Sequence, residues 1–175
     1  MLESGDTRLR LLREGDLAGL ATCLASGATG PYYPGDFESV QELKARFAAD
    51  GFWSERDGRL IIEDLEGRMV GWIFHFRNHP FMDSRELAYF VFETAMRNRG
   101  HATAALGLLS AHLFTTLPVH RLELTIASEN LASLRVAEKA GYRKEGVLRQ
   151  AWYSPALDRR LDACRYALLR GENQG

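Results

Sequence analysis

The chain has 175 residues, of which 46% are apolar, enough for one domain with a sizeable core. Its 22 basic and 23 acidic residues are spread along the chain and leave a net charge of −1, which excludes a basic nucleic-acid block and an acidic disordered tail. Two cysteines, Cys23 and Cys164, match no metal spacing, MLESGDTRLR holds no apolar signal segment, and no apolar run nears the roughly 20 residues of a membrane span. A soluble cytoplasmic protein, single-domain over residues 1–175, is expected, with no nucleic-acid, membrane or metal partner.

In chain order, Arg8 to Leu12 reads as a short strand, and a helix with Asp16 as N-cap runs to about Leu24. The loop SGATGPYYPGD leads to an amphipathic helix from about Ser39 to Ala49. Leu60 to Leu65 and Arg68 to Phe76 form a hairpin that turns at Glu66–Gly67. ELAYFVF, Glu86 to Phe92, is a further strand. From Gly100 to Leu117 apolar residues recur at three- and four-residue steps (Ala102, Leu106, Leu109, Leu113) until Pro118 ends the helix. Arg121 to Ala127 alternates as a half-buried strand does. A shorter helix spans about Asn130 to Ala140, with Gly141 as its left-handed stop and Tyr142 packing back on it. Strands near Val147–Tyr153 and Leu161–Leu169 close the chain. The order β-α-α-β-β-β-α-β-α-β-β predicts a mixed sheet with helices on both faces.

RNRGHATAAL, residues 97 to 106, sits between a strand and the longest helix. A helix start leaves backbone N–H groups without partners and carries partial positive charge. Gly100 and Ala102 let an anion approach, and Arg97 and Arg99 add charge around it. The Walker A and dinucleotide fingerprints are both absent. On its own residues the stretch is either an anion cradle or a plain strand-to-helix junction.

The loop Arg97, Gly100, Ala102 (R-x-x-G-x-A) is followed by a long helix, a strand and N-x-x-S-x-x-V-x-E-K-x-G-Y-x-x-E-G. In that second motif stand Asn130, Ser133, Val136, Glu138, Lys139, Gly141, Tyr142, Glu145 and Gly146. Together they resemble the GCN5-related N-acetyltransferase (GNAT) superfamily, in the branch whose enzymes acetylate ribosomal-protein N-termini. The resemblance covers nearly the whole chain. It implies a single-domain α/β (α+β) fold whose sheet of about seven strands splays between the fourth and fifth.

Carried over residue by residue, the resemblance implies that Arg97, Asn98, Arg99, Gly100, His101, Ala102 and Thr103 grip the pyrophosphate of acetyl-CoA. The pantetheine arm would pair with the free backbone edge at Val91 and Phe92, where an N–H can also stabilise an oxyanion. Asn130 would bond the cofactor's amide arm, and Ser133 would protonate the departing thiolate. Apart from the motif, Asn130 is also a good N-cap and Ser133 a plain surface residue. Glu138, Lys139 and Glu145 read as structural or solvated.

The relatives carry a Q-A-E-Y segment whose Glu is their candidate base, whereas this chain has Gln150, Ala151, Trp152 and Tyr153. Glu86, Glu123 and His75 are the remaining candidates for that role. His75 with His79 lacks a third metal ligand of fitting spacing. The resemblance also places the acceptor side at the first inter-helix loop, with Tyr32, Tyr33 and Phe37, and at the loop joining the last two strands, with Trp152, Tyr153 and Asp158. These aromatics suit an amine acceptor, or they only close the core edge. The expectation is therefore an acetyl-CoA-dependent N-acetyltransferase acting by direct attack in a ternary complex. Its acceptor is a small-molecule amine, favoured by the lost carboxylate, or a protein N-terminus, and it works as a monomer or homodimer. The rival from another class is a non-catalytic acyl-CoA-binding sensor or scaffold.

Overall fold

The computed structural model of the chain describes residues 1–172 except 28, 34–37, 55, 80 and 93. Its sheet begins earlier than the apolar pattern predicts. Gly5, at φ +53°, turns the chain with Asp6, so that Leu2–Ser4 (β1) lies antiparallel to Thr7–Leu11 (β2), Leu2 opposite Leu9. Among the described residues the sheet thus has eight strands where about seven were expected, because a three-residue strand is too short to show alternation.

A 3-10 turn at Glu14–Asp16 precedes α1 (Leu17–Ala25). Asp16 does not cap α1 as expected: its carboxylate accepts from the Arg10 guanidinium at 2.6 and 2.9 Å and from the Arg13 N–H at 2.7 Å. A fork-to-fork bond to a buried arginine is stronger than a neutral cap. Helix α2 (Val40–Asp50) has the reciprocal cap that its S-x-x-E spacing allows: Ser39 Oγ accepts from the Glu42 N–H, and the Glu42 carboxylate from the Ser39 N–H.

The chain continues through β3 (Asp57–Glu63), β4 (Met69–Phe76), β5 (Ser84–Val91), α3 (His101–Thr116), β6 (Arg121–Ala127), α4 (Leu131–Lys139), β7 (Arg143–Ser154) and β8 (Arg159–Leu169). The sheet order is β1-β2-β3-β4-β5-β6-β8-β7; β5 and β6 run parallel and the other neighbours antiparallel. Two cores result, one on each face. Helix α3 buries Leu106, Leu109 and Leu113 with Leu87, Leu122 and Leu124, while α1 and α2 bury Leu20, Leu24 and Leu43 with Ile61 and Trp72. Each such leucine contributes about 1.5–3 kcal/mol. Gly141, at φ +85°, stops α4, and Tyr142 returns beneath it with its N–H on Ala137 O at 3.0 Å.

One relationship in the sheet decides where a site can form. Strands β5 and β6 pair at Ser84–Arg121, Arg85–Leu122 and Glu86–Glu123, and there the pairing ends. Beyond it β5 stays on β4 as far as Val91, and β6 stays on β8 as far as Ala127. Each strand follows its outer neighbour, so a wedge opens between them. Gly71 lets β5 hold close to β4: a Cβ there would lie 1.9 Å from the Phe90 carbonyl oxygen.

Candidate functional site

The wedge forms a narrow cleft of about 60 Å³. Leu87 to Phe90 line one wall, Leu124 to Ala127 the other, and Tyr32, Asn130, Ser133 and Trp152 close it. Its free main-chain edge can be assigned. Phe92 N–H donates to Val70 O at 2.9 Å and Gly71 faces Val91, so Val91 is a non-bonded pair on the β4 side and turns its N–H toward the wedge. Of the two expected edge residues only Val91 is available. Phe92 is excluded, its N–H spent on the sheet and its ring buried in the α1–α2 core.

Asn130 and Ser133 meet across the first turn of α4. Asn130 Oδ1 accepts the Ser133 N–H at 3.2 Å, so the capping role is filled, and the side-chain amide N–H₂ remains to donate into the cleft. Ser133 is no plain surface residue. Its Oγ lies 2.8 Å from the Tyr89 hydroxyl, which also reaches Ser133 O at 3.2 Å. Burial pushes the Tyr89 hydroxyl up, against the opposing effect of its bond to Ser133, so it stays protonated. Sequence reasoning missed Tyr89, although strand alternation in ELAYFVF places it on one face with Leu87 and Val91.

At the mouth of the wedge the loop turns through Asn98 (φ +61°) and Gly100 (φ +91°) into α3, whose start has no side-chain cap. The first-turn N–H groups at His101, Ala102 and Thr103 are therefore left for a ligand, which fits a diphosphate. The side chains divide the work. Arg97 Nε donates to Val91 O at 3.3 Å and ties the loop to the free edge of β5. Arg99 lines a second cavity of about 230 Å³ beside Asp6, Asp64 and Glu66. The buried His101 ring points away from the loop and bonds Thr7 on β2.

The far wall is aromatic. Between Leu148–Ala163 and Trp152–Leu161, three residues of β7 face one of β8, with Gln150 at φ +52° and its N–H on Asp162 Oδ1 at 2.9 Å. This bulge re-aims the strand and delivers Trp152 to the cleft, where the relatives' pattern would bring a carboxylate. Tyr32 roofs the cleft, donating to Glu129 O at 3.3 Å, while Ser154 Oγ donates to Pro31 O at 2.6 Å. Tyr33 stacks edge-on against Phe90 at 4.9 Å, behind the wall. Tyr153, expected at the acceptor side, points out instead and bonds Asp158 at 2.7 Å within the closing turn. Phe37 lies outside the described residues.

No carboxylate or imidazole is among the lining residues described. Glu86 sits at the foot of the wedge, accepting from Asn78 and, at 3.4 Å, from Arg165. Glu123 beside it is held by Arg121 at 2.6 Å and Arg165 at 2.8 Å. Burial would push the Glu123 carboxyl up, but Arg121 and Arg165 outweigh it and hold it below the usual range. His75 is on the opposite, α3-facing side against Trp53 (ring centroids 5.3 Å apart), where burial and the charge of Arg85 push it down to about 4. That placement removes His75 from the candidate bases. Glu138 and Glu145 are structural, as expected: Glu138 accepts from Tyr166 at 3.0 Å, and Glu145 pairs with Arg121.

Residues 6–143 match the family model described as an acetyltransferase (GNAT) domain, and the chain belongs to that family. A Bacillus subtilis protein, the probable N-acetyltransferase YjcK, is 39% identical over 91 residues, 51% of this chain and 50% of that protein; the match thus spans about half the length of this relative. Among solved structures, a spermidine N-acetyltransferase from Vibrio cholerae, in complex with CoA and spermine, superposes with a TM-score of 0.85 at 21% identity, covering 98% of this chain and 100% of that one. Mycobacterium smegmatis RimJ, in complex with CoA-disulfide, gives 0.82 at 25% identity over 97% and 84%. The fold is shared with both. Among the described residues no helix is long and apolar enough to cross a membrane.

Proposed function

We propose that the protein transfers the acetyl group of acetyl-CoA to an amine. The observation that carries this reading is the continuity of the wedge. The Asn130–Ser133 pair lines the cleft, the Val91 N–H turns toward the wedge, and Arg97 ties the loop before the uncapped start of α3 to the Val91 carbonyl. Acetyl-CoA brings an already activated thioester, so the chain's task is alignment, charge stabilisation and proton placement.

In this reading the backbone N–H groups from His101 to Thr103 hold the diphosphate, with Arg97 and Arg99 around it. The Asn130 amide positions the pantetheine arm. The Val91 N–H points at the thioester carbonyl and stabilises the negative charge that its oxygen gains. As the nitrogen–carbon bond forms and the carbon–sulfur bond breaks, Ser133 supplies a proton to the sulfur. The nitrogen's proton passes to solvent, since no base is among the described residues that line the cleft. Glu86 reaches the amine only through water.

The acceptor is best read as a small-molecule amine with an apolar or ring-bearing body. Tyr32, Phe90 and Trp152 form its wall, and the nearby acids are already paired: Glu123 with Arg121 and Arg165, Glu129 with Arg159. Among the described residues that line this wall, none offers a polyamine a carboxylate. A protein N-terminus is the second reading, favoured by the likeness to RimJ. In this reading the protein works in the cytoplasm, as a monomer or homodimer.

The test is thiol release from acetyl-CoA across a panel of aryl-alkylamines, amino sugars, polyamines and peptides with free N-termini. Release with the first class supports the proposal, and release with peptides alone transfers it to the second reading. Tight acetyl-CoA binding without release for any amine would mark a sensor or scaffold.

A further inference from the structure

Ser133 has two choices for its hydroxyl proton, and only one of them suits the reaction. Tyr89 OH stands 2.8 Å from Ser133 Oγ and 3.2 Å from Ser133 O, with either hydroxyl able to donate in the shorter contact. If Tyr89 donates to the carbonyl, it accepts from Ser133, whose proton then points into the strand and away from the cleft. If Tyr89 donates to Oγ instead, the Ser133 proton is free to point elsewhere, and both residues line the cleft. The two are carried by separate elements, β5 and α4, on opposite sides of the wedge. Tyr89 therefore reads the distance between the wedge's walls as well as the direction of one proton.

We infer that Tyr89 is a positioning residue, which turns the Ser133 hydroxyl toward the leaving sulfur by donating to its oxygen. The inference rests on the acetyl-transfer reading above. In the step concerned the carbon–sulfur bond breaks, the sulfur takes the proton of Ser133, and Tyr89 keeps its hydrogen bond to the oxygen that has lost it. Solvent then returns to Ser133 a proton equivalent to the one that the amine nitrogen released. Amine and thioester become amide and thiol, and both hydroxyls end as they began.

The experiment is a double-mutant cycle with Tyr89→Phe and Ser133→Ala, reading kcat and the KM for acetyl-CoA with an amine that the panel has identified. Tyr89→Phe keeps the ring and its packing, and circular dichroism with a thermal melt checks the fold. The expected result is a fall in kcat of about tenfold with KM changed less than about twofold, and no further loss when Tyr89→Phe is added to Ser133→Ala. Equal losses from Tyr89→Phe in both backgrounds, or a rise in KM alone, would overturn the inference. If Ser133→Ala leaves kcat unchanged, the acid role of Ser133 falls and Tyr89 falls with it. If Ser133→Ala is crippling and Tyr89→Phe is silent, only the inference is lost.

Discussion

Thr7 Oγ1 lies 2.9 Å from His101 Nδ1, and this buried bond joins the second strand of the sheet to the first residue of α3 across 94 positions of sequence. The start of α3 is thereby held against β2 by a side chain, while its main chain stays open. Thr7→Val keeps the shape and removes the partner, leaving a buried ring nitrogen unsatisfied. The expected cost is about 1–3 kcal/mol of stability. The KM for acetyl-CoA should rise with kcat little changed, because the loop, not the chemistry, is loosened. A loss of stability with an unmoved KM would show that the bond serves the fold alone.

Gly100 carries the turn into α3 at φ +91°, and a Cβ built there meets nothing within 4 Å. Space is therefore no obstacle to a side chain, whereas backbone conformation is. Gly100→Ala asks an L-residue to hold a left-handed conformation, at about 1–2 kcal/mol. Calorimetric titration with acetyl-CoA should show weakened binding while the circular dichroism spectrum is kept. Undiminished affinity would remove the loop from diphosphate binding.

His75 makes the protein's stability depend on pH in a defined window. Burial, reinforced by the charge of Arg85, lowers it from 6.5 to about 4. Below its ordinary value the unfolded chain takes up a proton that the folded chain refuses, so the contribution is complete above 6.5 and is lost as pH falls toward 4. The loss amounts to about 3 kcal/mol. Urea midpoints measured at pH 7.5 and pH 4.5 should differ accordingly, and His75→Leu should narrow the difference. An equal gap in wild type and variant would place the acid sensitivity in other groups that titrate between those pH values.

With no base among the described residues that line the cleft, the amine is expected to arrive uncharged. The logarithm of kcat/KM should rise with pH until the pKa of the acceptor itself, and a less basic acceptor should move that limb down by the same amount. Glu86→Gln should leave the limb in place. A limb that ignores the choice of amine and vanishes in Glu86→Gln would restore Glu86 as a base working through water.

The parts legible in the sequence were those with local signals. The helix from about Ser39, the Gly141 stop and the α3 periodicity follow from neighbours a few residues apart, and each is where the spacing puts it. The wedge was expected only through the resemblance, since the loss of pairing after Glu86 and Glu123 concerns strands 37 positions apart. The orientation of side chains was the least legible. Asp16 left its cap for Arg10, His75 turned to the face opposite the acids, and Phe92 spent its N–H on Val70. Trp152 and Tyr153 are adjacent, yet a bulge that no periodicity announces sends one into the cleft and the other outward. Tyr89 carries no local signal, because its partner Ser133 stands 44 positions away in sequence.

The roof of the cleft is fastened through main-chain oxygens: Tyr32 to that of Glu129, and Ser154 to that of Pro31. A carbonyl oxygen is present whatever side chain its residue bears, so positions 31 and 129 can change identity without unfastening the roof. The anchoring burden falls on two hydroxyls. Retailoring the cleft can therefore proceed by substitution around them, with closure inherited unchanged.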